Sequence, residues 1–306
     1  MMAAKNLAAS VRQRLLNLSR ERGQDFNLVL TLYGVERLLY RLSSSAHRDE
    51  FVLKGAMLFH LWSDAPHRPT RDVDLLGEGM PEPARVGTVF REICITSVED
   101  DGIVFDPDTI RAERIRDDSE YKGVRVKVEG WLGEARVPVQ VDIGFGDVAV
   151  PPPETVEFPI LLDQQRPKLR AYRRETVVAE KLQAMVDLGI ANSRMKDFYD
   201  LRYLASRFSF DGSMLLAAIQ ATFRRRGETS PAEIPIALTA AFASDDSKQE
   251  EWVAFMRRSK LGEEGLTLPE VVEFLAIFLQ PPLVALRARE SFDVTWPPGG
   301  PWQESR

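Results

Sequence analysis

Residues 51–76 read FVLKGAMLFHLWSDAPHRPTRDVDLL. The apolar run Phe51-Val52-Leu53 predicts a buried strand that ends at Gly55. Met57 to Trp62 predicts a helical turn or more, and residues 64–69 a loop. Asp72 to Leu76 predicts a second strand, closed by Gly77 and Gly79. Alternation along a strand sends Asp72 and Asp74 to one face and Val73 to the other, into the core. Two carboxylates on one strand face repel each other unless a cation sits between them, and a divalent ion fills that role.

A third acid, Asp142, lies in Val141-Asp142-Ile143-Gly144, inside an otherwise apolar strand. Set beside Asp72 and Asp74, it would complete a cluster of three carboxylates. Such a cluster can hold two metal ions about 4 Å apart, activating an attacking oxygen and neutralising a leaving pyrophosphate. Gly55 lets a phosphate approach the backbone where a helix begins. Lys54, Arg68 and Arg71 bring positive charge for a triphosphate.

Outward from this stretch, residues 5–20 and 26–43 predict helices, with Leu28, Leu32, Val35, Leu38, Leu39 and Leu42 at helical spacing. Residues 83–96 predict another. Between Ile103 and Gly146 the pattern turns strand-like: Val124, Val126 and Val128 alternate with Arg125, Lys127 and Glu129, and a hairpin is expected near Gly133-Glu134. After Pro151-Pro152-Pro153 a last strand is expected near residues 159–162. Helices are expected at 174–188, 195–206, 212–226, 248–259 and 268–288, the second capped by Asn192 or Ser193. The tail from Thr295 is expected to be extended or frayed. These elements divide the chain into N-terminal helices (1–44), an α/β domain (45–165), an all-α domain (166–294) and a tail (295–306).

Composition narrows the functional classes. The 306 residues are 44% hydrophobic and 28% charged, ordinary for a folded protein. The single cysteine, Cys94, excludes an internal disulfide and any multi-cysteine zinc site. With three histidines and no HExxH string, a metal would fall to carboxylates, hence to a hard ion such as magnesium or manganese. No run of 18 or more apolar residues occurs and no signal peptide is recognisable, so a cytoplasmic setting without a membrane span is expected. The net charge is −6, yet residues 164–228 hold 13 Lys/Arg against 7 Asp/Glu. That basic stretch fits either a polyanion contact or solvated helix faces.

Four short motifs occur in one order: Leu53-Lys54-Gly55 with Arg68-x-Thr70-x-Asp72-x-Asp74; Val141-Asp142-Ile143-Gly144; Glu175 to Glu180-Lys181-Leu182; and Arg194-Met195-Lys196-Asp197-Phe198-Tyr199-Asp200. In this order the chain resembles the nucleotidyltransferase superfamily, and specifically the AbiEii/AbiGii toxin family, which includes MenT-like toxins of type IV toxin–antitoxin systems. Ala56 departs from the superfamily's second Gly or Ser in the turn.

The resemblance implies a mixed-sheet nucleotidyltransferase fold with a helical C-terminal domain and an active site in the cleft between them. It implies a magnesium- or manganese-dependent transfer of NMP from an NTP to an acceptor, expected to be the 3′ end of tRNA, with arrest of translation. An antitoxin partner is implied as well. Asp72, Asp74 and Asp142 would be metal ligands, Asp142 alternatively the base. Thr70, Lys181, Arg194 and Lys196 would join Lys54, Gly55, Arg68 and Arg71 in nucleotide binding. Asp197 would orient Lys181 or bind the acceptor, while Lys196 and Asp200, four apart, also fit an ordinary surface pair. Two other readings stay open: NMP transfer to a protein hydroxyl (AMPylation-like), and a catalytically silent module that binds nucleotide or antitoxin, which Ala56 keeps in view.

Overall fold

The computed structural model describes residues 2–63, 67–115, 123–227, 231, 233–261 and 265–304. The chain divides into two compact units. The first comprises Met1–Asp147 and Glu154–Tyr172, and the second Val148–Pro153 and Arg173–Arg306.

The first unit contains α1 (Met2–Glu21), α2 (Phe26–Ser44), β1 (Phe51–Lys54), α3 (Phe59–Trp62), β2 (Val73–Gly77), α4 (Pro83–Cys94), β3 (Ile103–Ile115), β4 (Gly123–Leu132), β5 (Ala135–Phe145), β6 (Glu154–Glu157) and β7 (Lys168–Ala171). The strands form one mixed sheet in the order β3-β4-β5-β2-β1-β7-β6. β2 runs antiparallel to β1 and parallel to β5.

One face of this sheet is apolar. Val126, Val141 and Val73 are lateral neighbours on it, as are Ile143, Leu75 and Leu53. All six are nearly inaccessible to water. Gly34 of α2 packs against Val137 and Val139, where no larger side chain fits, and Gly87 of α4 packs against Ala112. Burial of this face is the main stabilising term of the unit. Asp25 caps α2 by accepting the Leu28 amide at 2.9 Å.

The second unit is built from α5 (Arg174–Leu188), α6 (Met195–Arg207), β8 (Phe210–Asp211), α7 (Gly212–Arg225), α8 (Ala240–Ala243), α9 (Asp246–Ser259), α10 (Leu268–Ala288), β9 (Val294–Trp296) and β10 (Gln303–Glu304). α10 begins with a capping box in which Thr267 and Glu270 bond reciprocally. By length and hydropathy α10 is the one described helix that would suit a membrane span. Its Val271, Leu275, Phe278 and Leu279 are instead packed inside the unit, as in a core helix.

Three expectations need correction. No strand forms at residues 159–162; the strands fall on either side, as β6 and β7, because Pro159 has no amide to give a ladder. Of the two states expected for the tail, the described residues up to 304 take the extended one, and in an ordered form: β9 joins β8 and β10 in a three-stranded sheet, and Trp296 is fully buried with its indole N–H on the Ala205 carbonyl. The otherwise helical second unit therefore carries a small sheet. At the start of α6 the capping position is Arg194, and Asn192 acts one step earlier by accepting the Arg194 amide at 2.9 Å. Of the loop expected at 64–69, residues 64–66 lie outside the described residues.

Candidate active site

The second face of the large sheet carries charge. Arg125 lies opposite Asp142, Asp142 opposite Asp74, and Asp74 opposite Lys54. Direct cross-strand partners point the same way, so four charged side chains cross β4, β5, β2 and β1 in a single row. Hairpin geometry sets half of this register. The two-residue turn at Gly133-Glu134 pairs Leu132 with Ala135, and pairing outward from there brings Arg125 to Asp142.

Arg125 grips Asp142 with two hydrogen bonds, Nε to Oδ1 at 2.8 Å and Nη2 to Oδ2 at 2.7 Å. Its guanidinium pKa is held above the ordinary value, first by this bond to Asp142 and also by the nearby charges of Asp142 and Asp72. Asp72 stands one residue before β2 and is exposed. Its field at Arg125 places it at the same end of the row.

Gly55 has φ +69°, a conformation that suits glycine. A Cβ there would collide with the Asp74 carboxylate. The Gly55 turn and Asp74 are therefore packed directly together, as the strand–turn–strand reading requires. Lys54 Nζ bonds Asp147 Oδ2 at 2.8 Å and lies over the Tyr172 ring. Asp147 was not among the residues expected from sequence.

Among the described residues, no three His, Cys, Asp or Glu side chains converge into a ready metal cage. The donors still suit a hard ion. Asp74 supplies a carboxylate against the Gly55 turn, and Asp72 another two residues before it, within the field felt by Arg125. Asp142 retains lone pairs beyond the two that Arg125 engages.

The remaining first-unit residues lie on the approach to β2. Thr70 precedes the strand and is partly exposed, so it shares no strand face with Asp72. Arg71 is exposed, with Nη2 at 3.9 Å from Asp25 Oδ1. Arg68 is half-buried.

In the second unit, Lys181 of α5 donates to Asp197 Oδ1 at 2.5 Å and to Asp200 Oδ2 at 2.8 Å. Both acids are almost completely buried. Burial alone would lower the Lys181 pKa, but the two carboxylates outweigh it and the pKa is raised. Arg194 Nε stands 2.8 Å from Asp197 Oδ2. Lys196 is exposed, and Asp200 is committed to Lys181, which removes the Lys196–Asp200 surface pair. The buried stripe of α6 contains Asp197, Asp200, Leu201 and Leu204, so helical periodicity carried the signal that Asp200 faces inward. Cys94 is buried and its thiol pKa is pushed up to about 12 by desolvation, leaving it inert at neutral pH.

The first unit thus brings together a mixed sheet, a glycine turn against Asp74, Asp72 two residues before it and Asp142 on the adjacent strand. The chain belongs to the AbiEii family: residues 37–276 match the family model described as nucleotidyl transferase AbiEii toxin, type IV toxin–antitoxin system. It is thus an enzyme of a toxin family whose members work beside a cognate antitoxin and use an NTP. Among solved structures, the chain is similar to JHP933 from Helicobacter pylori, with 15% identity and a TM-score of 0.46 over 83% of this chain and 90% of that one. It is also similar to an H. pylori "putative nucleotidyltransferase", with 17% identity and a TM-score of 0.47 over 84% and 95%. No curated protein sequence matches it.

Proposed function

We propose that the protein transfers an NMP unit from an NTP to the 3′ end of tRNA and so arrests translation. The carrying observation is the row Arg125–Asp142–Asp74–Lys54 with Asp72 at its end and Gly55 beneath Asp74. In this reading an acceptor hydroxyl oxygen bonds to the α-phosphorus. The bond from that phosphorus to its bridging oxygen breaks, and pyrophosphate leaves with the electron pair. Asp72 and Asp74, with Asp142, would hold magnesium or manganese, which supplies Lewis-acid charge for the triphosphate. Alternatively Asp142 would serve as the base that takes the hydroxyl proton, with Arg125 fixing the orientation of its carboxylate.

Lys54 and the Gly55 backbone are assigned to the phosphates, with Arg68, Thr70 and Arg71 in support. Lys181, Arg194, Lys196 and Asp197 are retained as nucleotide or acceptor contacts. The basic residues between 164 and 228 support an RNA acceptor, and Arg224 and Arg225 are exposed within it. NTP and tRNA place the reaction in the cytoplasm, and a neutralising antitoxin is the expected partner.

The test incubates the protein and magnesium with each α-labelled NTP in turn, with tRNA or with a cell-extract protein fraction. Label on tRNA is expected. Label on protein alone would move the acceptor to a protein hydroxyl. Absence of label with every NTP, despite nucleotide binding, would leave the silent module standing.

A further inference from the structure

The charged row ends at Lys54, and two residues outside the row hold that lysine. β5 closes at Phe145, and Gly146, at φ +82°, turns the chain at once. Asp147 follows, and its Oδ2 accepts a hydrogen bond from Lys54 Nζ at 2.8 Å. β1 also pairs with β7, which runs parallel to it with Ala171 opposite Leu53. The next amide, that of Tyr172, donates to the Leu53 carbonyl at 2.9 Å. Tyr172 is thereby fixed beside Lys54, whose ammonium lies 5.5 Å from the centre of the phenol ring. Segments far apart in sequence, at residues 54, 147 and 172, meet around one ammonium.

Stability is a weak reason for this pair. The Lys54 and Asp147 side chains are 15% and 7% exposed. Removing two charges from water offsets much of their attraction, and an apolar pair of similar volume often stabilises as well. The pair does supply direction. A loose lysine has many rotamers, and a ligand that uses its ammonium must first order the side chain. Asp147 and Tyr172 order it in the folded protein. The lysine they hold immediately precedes the Gly55 turn and lies directly across the β1–β2 ladder from Asp74. An ammonium has three N–H donors, and it can keep one on a carboxylate while giving another to a phosphate oxygen.

We propose that Asp147 is a positioning residue for nucleotide binding, holding the Lys54 ammonium beside Tyr172 so that it meets the triphosphate of the NTP at the Gly55 turn. The proposal rests on the reading that Lys54 takes the phosphates. Asp147 itself does not touch the nucleotide; it acts through Lys54 alone.

The test is equilibrium binding to the full chain, with magnesium and without acceptor. The probes are the four NTPs and inorganic triphosphate. Asp147→Asn, which keeps the side-chain volume and removes the charge, is expected to weaken inorganic triphosphate and any NTP that binds about tenfold. Lys54→Met should weaken them at least as much. Adding Asp147→Asn to Lys54→Met should weaken them no further, because Asp147 then has nothing to position. The double variant also leaves neither charge of the pair buried alone, and thermal unfolding should show it at least as stable as either single variant. A merely structural bridge predicts a different pattern: single variants that lose stability, and a double variant that regains both stability and wild-type binding. Wild-type affinity in Asp147→Asn or in the double variant, losses that add in the double variant, or no binding of any probe by the wild type overturns the proposal. Binding that depends on the pair in this way, with no label passed to any acceptor, would support the positioning role and defeat the transferase reading. Label transfer with unaltered binding in Asp147→Asn would do the reverse.

Discussion

Arg125 and Asp142 face each other across β4 and β5, and both carboxylate oxygens of Asp142 are held by one guanidinium. The pair is partly open to water, at 35% and 20% side-chain exposure, so it is screened and its net contribution is modest. Its greater consequence is charge. Arg125 places a positive charge directly on Asp142, which sits beside Asp74 and near the charge of Asp72.

Arg125→Ala should therefore remove one positive charge from beside the acids and raise their mutual repulsion. Without metal, a loss of about 1 kcal/mol corresponds to a fall in Tm of about 2–4 °C for a unit of this size. Added magnesium or manganese should then raise the variant's Tm more than the wild type's. Thermal unfolding with EDTA and with each metal checks this; equal shifts in the two proteins would show that Arg125 does not share the acids with the ion.

Lys181 sits between two buried carboxylates. Lys181→Met should leave Asp197 and Asp200 without their common cation and cost about 3–5 kcal/mol. Urea unfolding measures it, with Lys181→Arg as the variant that keeps the charge. An unchanged midpoint for Lys181→Met would refute the buried triad. A loss of transfer by Lys181→Met is thus readable as chemistry only if Lys181→Arg, still folded, also loses it.

Gly55→Ala should abolish transfer through two effects. The residue would have to adopt a positive φ, at about 1–2 kcal/mol, and its Cβ would displace the Asp74 carboxylate. The expected signature is a loss of transfer out of proportion to the fall in Tm. Retained activity would mean that the position of Asp74 over the turn is immaterial.

His47 offers a pH test of the fold. Desolvation lowers its pKa, but hydrogen bonds and charge from Glu50 and Glu92 outweigh this and raise it above 6.5. The ring nitrogens lie 2.6 and 2.7 Å from those carboxylates. A raised folded-state pKa gives stability that is complete below the unfolded value, near 6.5, and is lost as pH rises through the folded value. The Tm difference between wild type and His47→Gln should be largest near pH 6 and shrink on the alkaline side. A difference that grows with pH would contradict the clamp.

The sequence made some of this legible and not the rest, for physical reasons. A glycine turn between two short apolar runs located Gly55, Asp72 and Asp74, because strand alternation and turn chemistry are local. The bounds of α5 and α10 agree with the helices expected at 174–188 and 268–288. Arg125 looked like the solvent side of an alternating strand. Its role depends on cross-strand register, and only pairing outward from Gly133-Glu134 aligns it with Asp142. Asp200 was masked by Lys196 four residues away, although it lies in the buried stripe of α6. The buried Trp296 was missed because a strand of three residues, Val294–Trp296, has too little pattern to separate it from a loose tail.

The most direct measurement compares NTP labelled at the α- and at the γ-phosphate, with magnesium and tRNA, in wild type and in Asp72→Asn and Asp74→Asn. The account predicts that α label enters tRNA and γ label leaves as pyrophosphate. Both variants, and EDTA, should lower transfer by at least 10²-fold, in line with the loss of transition-state charge stabilisation. Incorporation of γ label, or full α-label transfer by the two variants, would contradict nucleotidyl transfer by this carboxylate row.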